Sequence, residues 1–251
     1  MAMKPWLRAE WKQAGYGTQM GSSAVVPPPS PALLRLYHIT SAEYGLSNIG
    51  LKRLKVARFS ALNDPFELLA ADCKDSSIRS AAESYKKNYD LKHGLLCFSV
   101  NWSNPLLWSH YAVKHTGICL GFDVPRNVVT KVIYEGKRRR GITLDGTSPD
   151  GLSDMVKELL IKTKFEHWAY EAEHRMILNL KKMNEEGSLH FKDFESDLDL
   201  SEVILGPLCP ISLPRIRELV RSRFSDDVRV YKTRPAYGGY VVVPDEKSVD
   251  W

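Results

Sequence analysis

The six residues from Tyr170 to Arg175 read YEAEHR and set two carboxylates, an imidazole and a guanidinium within one short stretch. On a strand, where side chains alternate sides, Glu171, Glu173 and Arg175 share a face, with the glutamates about 6–7 Å apart at their Cα atoms. Carboxylates so close raise one another's pKa unless a cation intervenes, and Arg175 is the next residue on that face. Such a group suits a catalytic cleft. The ordinary alternative is a solvated charge ladder on an edge strand, but the apolar run MIL follows at once.

Three other stretches present polar groups. LYHIT sets His38 at the end of a strand, with Thr40 and Ser41 at the start of a helix; together they offer a ring nitrogen and hydroxyls to a ligand, or His38 simply bonds the helix N-terminal backbone. RFSALNDPFE, residues 58–67, runs through Ser60 into an Asn-Asp-Pro turn that either clamps a small ligand or caps the next helix. WSHYAVKHTGICLGFD places Trp108, His110 and Tyr111 ahead of a buried strand. Trp108 reads as a core anchor; Ser109, His110 and Tyr111 stay open between packing and a stacking wall for a flat ring.

These stretches must be held by elements. RLYHIT reads as a strand and SAEYGLSNIG as a short helix with Ser41 as N-cap and Gly50 just past its end. KRLKVARFS is a second strand, and SIRSAAESYKKNYD an amphipathic helix. HGLLCFSV and TGICLGFDV are buried strands by their continuous apolar runs. NPLLWSHYA gives one or two helical turns with Asn104 as cap and Pro105 first. VTKVIYEG is a strand, and SDMVKELLIKTKFEH has helical spacing of Met155, Leu159, Leu160 and Ile161. Further strands fall at WAYEAEHRMILNL, LHFKDFE, SEVILGPLC and VRVYKTR, with a helix at SLPRIRELVRSRF. The tail from residue 236 to 251 reads as irregular. Short, numerous strands with interspersed helices and no steady βαβ rhythm predict an α+β fold with a mixed, mostly antiparallel central sheet and peripheral helices.

The chain has 251 residues, 43% hydrophobic and 26% charged, enough for one α+β domain over 35–235. Residues 1–34 form an N-terminal arm ending in the Pro-rich spacer SSAVVPPPSP. Net charge is +5, part of it in GKRRRG, a solvated loop or a contact for phosphate. No run is long enough to span a bilayer and no signal peptide is visible, so the expected partners exclude a membrane and the expected location is cytoplasmic. Four widely spaced cysteines without a CxxC pair fit a reducing compartment. Nucleotide-binding glycine motifs, HExxH and GxSxG are absent, and neither the histidines nor the cysteines have zinc spacing; no metal is expected.

Taken in order, LYHIT, RFSALNDPFE, CFS, WSHYAVKHTGICLGFD and WAYEAEHRMI resemble a large bacterial family known only as a domain of unknown function, over about Leu36 to Val230. A more remote resemblance carries chemistry. The LYHIT-SAEYGLSNIGL opening is similar to DarT-type DNA ADP-ribosyltransferases, and EAE has the ExE spacing of the arginine-modifying branch. This resemblance implies a split two-sheet fold and NAD as substrate. It implies Glu173 as catalytic glutamate, with Glu171 as neighbouring base, and His38 as NAD contact beside Thr40. Ser60 or Tyr111 would fill the middle position, and Arg175 or the KRRR block would meet the pyrophosphate. The implied function is transfer of ADP-ribose to a protein or nucleic-acid acceptor by a toxin, phage-defence effector or delivered effector. A non-catalytic or nucleic-acid-binding defence component is the alternative, and a nuclease the third option.

Overall fold

The computed structural model describes residues 26–146, 151–195 and 197–249. In chain order its elements are β1 (Leu33–Thr40), α1 (Ala42–Leu51), β2 (Arg53–Val56), α2 (Ser76–Lys92), β3 (His93–Ser99), α3 (Pro105–Tyr111), β4 (Ile118–Pro125), β5 (Thr130–Lys131) and β6 (Ile133–Glu135). Then follow α4 (Asp154–Lys162), β7 (Thr163–Phe165), β8 (Glu173–Asn179), β9 (Asn184–Glu186), β10 (Leu189–Asp193), β11 (Asp199–Leu205), α5 (Leu213–Arg223), β12 (Arg229–Pro235) and β13 (Val242–Pro244). The class is α+β. The chain gathers into two compact units that alternate along the sequence. The first comprises Met1–Arg53, Phe98–Arg126 and Asp193–Trp251, and the second Leu54–Cys97 and Asn127–Lys192. Each unit holds a hydrophobic cluster of its own.

In the first unit the strand order is β13-β12-β11-β4-β1, with the end of β3 beside β1 where Ser99 faces Tyr37. β1 and β4 are antiparallel in unbroken register from Leu33 opposite Pro125 to Thr40 opposite Ile118. β11 runs antiparallel to β4 and parallel to β12. A parallel pair needs a crossover, and α5 supplies it. One sheet face packs Tyr37, Cys119, Ile204 and Tyr231 with Trp102, Trp108 and Ala112. The Asn104 side chain accepts from Leu106 N (3.0 Å) with Pro105 at the first position, as the sequence predicts, and the Trp108 indole is buried, donating to Trp102 O.

In the second unit β8 lies between β3 and β5, β6 pairs with β7 in parallel, and β10 lies between β2 and β9. The core gathers Phe59, Leu68, Tyr85, Leu95, Leu152 and Leu160.

Several local expectations are corrected. Gly50 lies inside α1, which ends at Lys52 in the left-handed region (φ 52°), while Ser41 caps its start by accepting from Tyr44 N. KRLKVARFS is a strand only at Arg53–Val56, with a single bridge at Ala57, and turns into a 3-10 helix at Phe59–Ala61. VTKVIYEG divides into β5 and β6 because its halves pair with different strands, β8 and β7. Met155 is 80% exposed, since it stands on the outer face of the first turn of α4. The tail is not wholly irregular: β13 pairs with β12, and Val242 N donates to Ser103 O (2.8 Å). Residues 1–25 of the expected arm lie outside the described residues; from Val26 to Ala32 the chain forms neither helix nor strand.

Candidate active site

The second unit buries a cluster of charges. YEAEHR is not a continuous strand: Glu166–Glu171 is a 3-10 helix, Ala172 turns the chain through the left-handed region (φ 45°), and β8 begins only at Glu173. A left-handed residue breaks the two-residue alternation, so Glu171 does not stand on the strand face of Glu173. The two carboxylates nevertheless converge, because Lys164 on β7 bonds both. Its Nζ donates to Glu171 Oε2 at 2.6 Å and Glu173 Oε2 at 3.2 Å, and stands 3.6 Å from Glu67 Oε1.

Arg175 closes the other side. Its Nε donates to Glu173 Oε1 (2.8 Å) and its Nη2 to Glu173 Oε2 (3.1 Å), a two-pronged grip that fixes the carboxylate plane. Nη2 also donates to Glu67 Oε1 (2.7 Å), and Nη1 to Ile161 O (2.9 Å). All five side chains are buried, Arg175 and Glu67 to 1% exposure. The Trp168 ring lies over Lys164 Nζ at 4.9 Å, and the Tyr134 hydroxyl accepts the Glu173 backbone N–H at 2.8 Å.

Three carboxylates thus face two cations, leaving one negative charge in surplus if all are ionised. Surplus charge is costly in a dry interior, and the two best-buried glutamates respond in opposite directions. Burial pushes the Glu173 carboxyl up, but Arg175 and Lys164 outweigh it and hold the group below its ordinary value. Burial pushes Glu67 up, and its cations do not fully reverse the push, so it holds a proton to higher pH than Glu173. Glu67 Oε2 is buried and has no hydrogen-bond partner among the described residues. Burial, then the Glu173 charge, drives the Cys97 thiol well above its usual range. Burial also raises the Tyr134 hydroxyl to about 12. Two carboxyls whose environments separate their pKa values are the pattern of an acid paired with an anionic stabiliser.

Of the residues singled out in the sequence, Glu171, Glu173 and Arg175 meet in this cluster. Ser60, in the same unit, is exposed and serves locally: its Oγ donates to Asp90 Oδ2 (2.7 Å) and its N to Asp90 Oδ1 (3.1 Å). His38, Thr40 and Tyr111 belong to the first unit. The His38 ring lies edge-on to Phe98 at 6.0 Å, Thr40 is opposite Ile118, and Tyr111 ends α3. Sequence reasoning missed Lys164 and the cluster role of Glu67. Glu67 closes the quoted NDPFE turn, but no spacing ties it to a residue 108 positions away.

It also missed a second buried group, in the first unit. Arg35 holds Asp123 with Nε and Nη2, both at 2.7 Å, and its Nη1 donates to Pro27 O (2.8 Å) and Glu202 Oε1 (3.2 Å). The Tyr231 hydroxyl donates to Glu202 Oε2 (2.7 Å). Gly121, opposite Glu202, makes room: a Cβ there would stand 3.0 Å from both Glu202 Cβ and the Tyr37 ring. The signal was a lone acid inside the apolar run SEVIL.

Among the described residues no group of three or more His, Cys, Asp or Glu is arranged to hold a metal ion, and no helix is long and apolar enough to cross a membrane. Set against protein-family models, curated proteins and solved structures, the chain finds no match in any of the three comparisons.

Proposed function

We propose that this chain is an NAD-consuming ADP-ribosyltransferase-like enzyme whose chemistry is centred on Glu173 and whose acceptor is a macromolecule. The observation that carries the reading is the surplus carboxylate of the Glu67–Lys164–Glu171–Glu173–Arg175 cluster. Cleaving the nicotinamide–ribose bond leaves positive charge on the ribose, and a preformed, oriented anion stabilises it without reorganisation. Glu173 is that anion, with Arg175 and Lys164 keeping it ionised and fixed. Four of the five N–H donors of Arg175 are engaged by Glu173, Glu67 and Ile161 O, so in this reading Arg175 holds the glutamate rather than the pyrophosphate. Nicotinamide departs neutral and needs no acid. Glu67, which keeps a proton longer, hydrogen-bonds the substrate through its unpartnered Oε2, and Glu171 takes the acceptor's proton. The Trp168 ring, carried by the 3-10 segment Glu166–Glu171, lies over Lys164 Nζ and flanks the cluster. The resemblance, taken by itself, also assigns NAD contacts to His38 and Thr40, with Ser60 or Tyr111. Bacterial defence or toxin action in the cytoplasm is the setting this reading favours.

The test is incubation with NAD labelled in the nicotinamide and in the adenylate. The wild type is expected to release free nicotinamide and to label a macromolecule. Glu173→Gln is expected to lose this by at least about a hundredfold, since one preorganised electrostatic contact is worth that much. Because Glu173 is a buried ion-pair partner, its variant needs a melting curve beside it. Glu67→Gln, which leaves the Arg175–Glu173 grip intact, supplies a second readout through reduced turnover in a folded protein. Full turnover in a folded Glu173→Gln variant, or no nicotinamide release by the wild type with any acceptor fraction, overturns the assignment.

A further inference from the structure

The first unit has a hollow of about 110 Å³ at the C-terminal half of α5, the start of β12 and Val249. Its lining is of two kinds. Val220, Val228 and Val249 are apolar, whereas Arg217, Arg221 and Arg229 bring three guanidinium groups against the single acid Asp226. Arg217 and Arg221 are four apart on α5, and so share a helix face where like charges repel. Arg217 is fixed by carbonyls, donating to Ser248 O at 2.6 Å and Val230 O at 3.3 Å. Arg221 stands 3.9 Å from Asp226 with the side chains 67% and 91% exposed, a pair that water dissolves and a stronger anion displaces. Arg229 is paired through its backbone in the β11–β12 ladder, but its side chain makes no hydrogen bond or ion pair among the described residues, although it lines the same hollow. A helix C-terminus attracts cations, and this accounts for Arg221 and Arg223. It does not account for Arg229, which comes from a strand.

We propose that this hollow binds a small phosphorylated ligand, its phosphoryl group held by Arg221 and Arg229 with Arg217 behind them, and its apolar stem against Val220, Val228 and Val249. Guanidinium forks match phosphate oxygens two at a time, which makes phosphate the anion this arrangement suits best. The volume admits a phosphoryl group and a few further heavy atoms. It is well below the roughly 300–1,000 Å³ of sites that enclose a drug-sized molecule, so a whole dinucleotide does not fit. The site is independent of the proposed NAD chemistry and stands whether or not that chemistry does.

The experiment titrates the full chain with inorganic phosphate and, separately, with n-butyl phosphate, following backbone amide resonances at constant ionic strength set with chloride. Saturable shifts confined to residues 217–231 and Val249 are expected, with n-butyl phosphate binding more tightly than inorganic phosphate. Arg229→Ala and Arg221→Ala, both at exposed positions, are expected to weaken binding by about tenfold each, the worth of one charge-assisted contact. Shifts that do not saturate, that chloride reproduces, or that survive in the double variant overturn the site. Equal affinity for the two probes overturns the apolar stem and identifies free phosphate as the ligand.

Discussion

Glu202 shows how a single side chain can set the pH response of a fold. It is fully buried, and burial lifts its carboxyl from 4.5 to about 7 against the opposing pull of Tyr231, Arg35 and Tyr37. Asp123 and Asp199, and Arg229 opposite Glu202 on β12, are further charged groups of the same strand neighbourhood. The folded chain therefore holds a proton that the unfolded chain has already released between about pH 4.5 and 7. Stability from this group is present below that window and is lost as pH rises through it. The total is on the order of 3 kcal/mol. Melting curves of the wild type and Glu202→Gln from pH 4.5 to 8 should show the wild type losing stability relative to the variant as pH rises; parallel curves would refute the assignment. At this scale the sequence was partly legible. Glu171, Glu173 and Arg175 were picked out by type and spacing, and they do meet. Their partners were not, because Lys164 reaches Glu171 around a 3-10 helix and Glu67 comes from 108 positions before Arg175; no short-range periodicity records either approach.

Among the elements, capping chemistry was the most readable signal. Ser41 and Asn104 occupy the caps the sequence assigns them, since a side-chain oxygen satisfying an orphan N–H is a local event. The left-handed positions were invisible, because Lys52 and Ala172 are residue types that do not announce such a conformation. Val113, Lys114 and His115 follow one another at φ 45°, 55° and 71°, and none is glycine. Ala172 matters most, because the turn there redirects Glu171 off the strand and toward Lys164. Ala172→Val puts a β-branched residue at φ 45°, where it is strongly disfavoured. A loss of about 1–2 kcal/mol in chemical denaturation is expected, together with loss of the Glu171–Lys164 contact. Unchanged stability would mean that the turn is not held as described.

Across the whole molecule the α+β class was legible from many short strands with scattered helices, whereas the division into two units was not. Composition does not change at Arg53, Cys97, Arg126 or Lys192, where the chain passes from one unit to the other. Nor did the net charge of +5 define a surface, for the KRRR block is stitched in locally: Arg139 bonds Glu135, Arg140 faces Asp72, and Arg138 lies over the Phe66 ring. A chain cut after Lys192 keeps every segment of the second unit but lacks β11, β12 and β13. Hydrogen exchange on it should protect amides in 54–97 and 127–192 and leave 98–126 open; protection throughout 98–126, or nowhere, would refute this. The same interleaving imposes a timetable on biosynthesis. As the ribosome proceeds, the unit that ends at Lys192 has all its parts while the other still waits for its final strands. For that interval β4 emerges with an edge bare, a strand of Ile118, Cys119, Leu120 and Phe122 that a chaperone would be expected to shield.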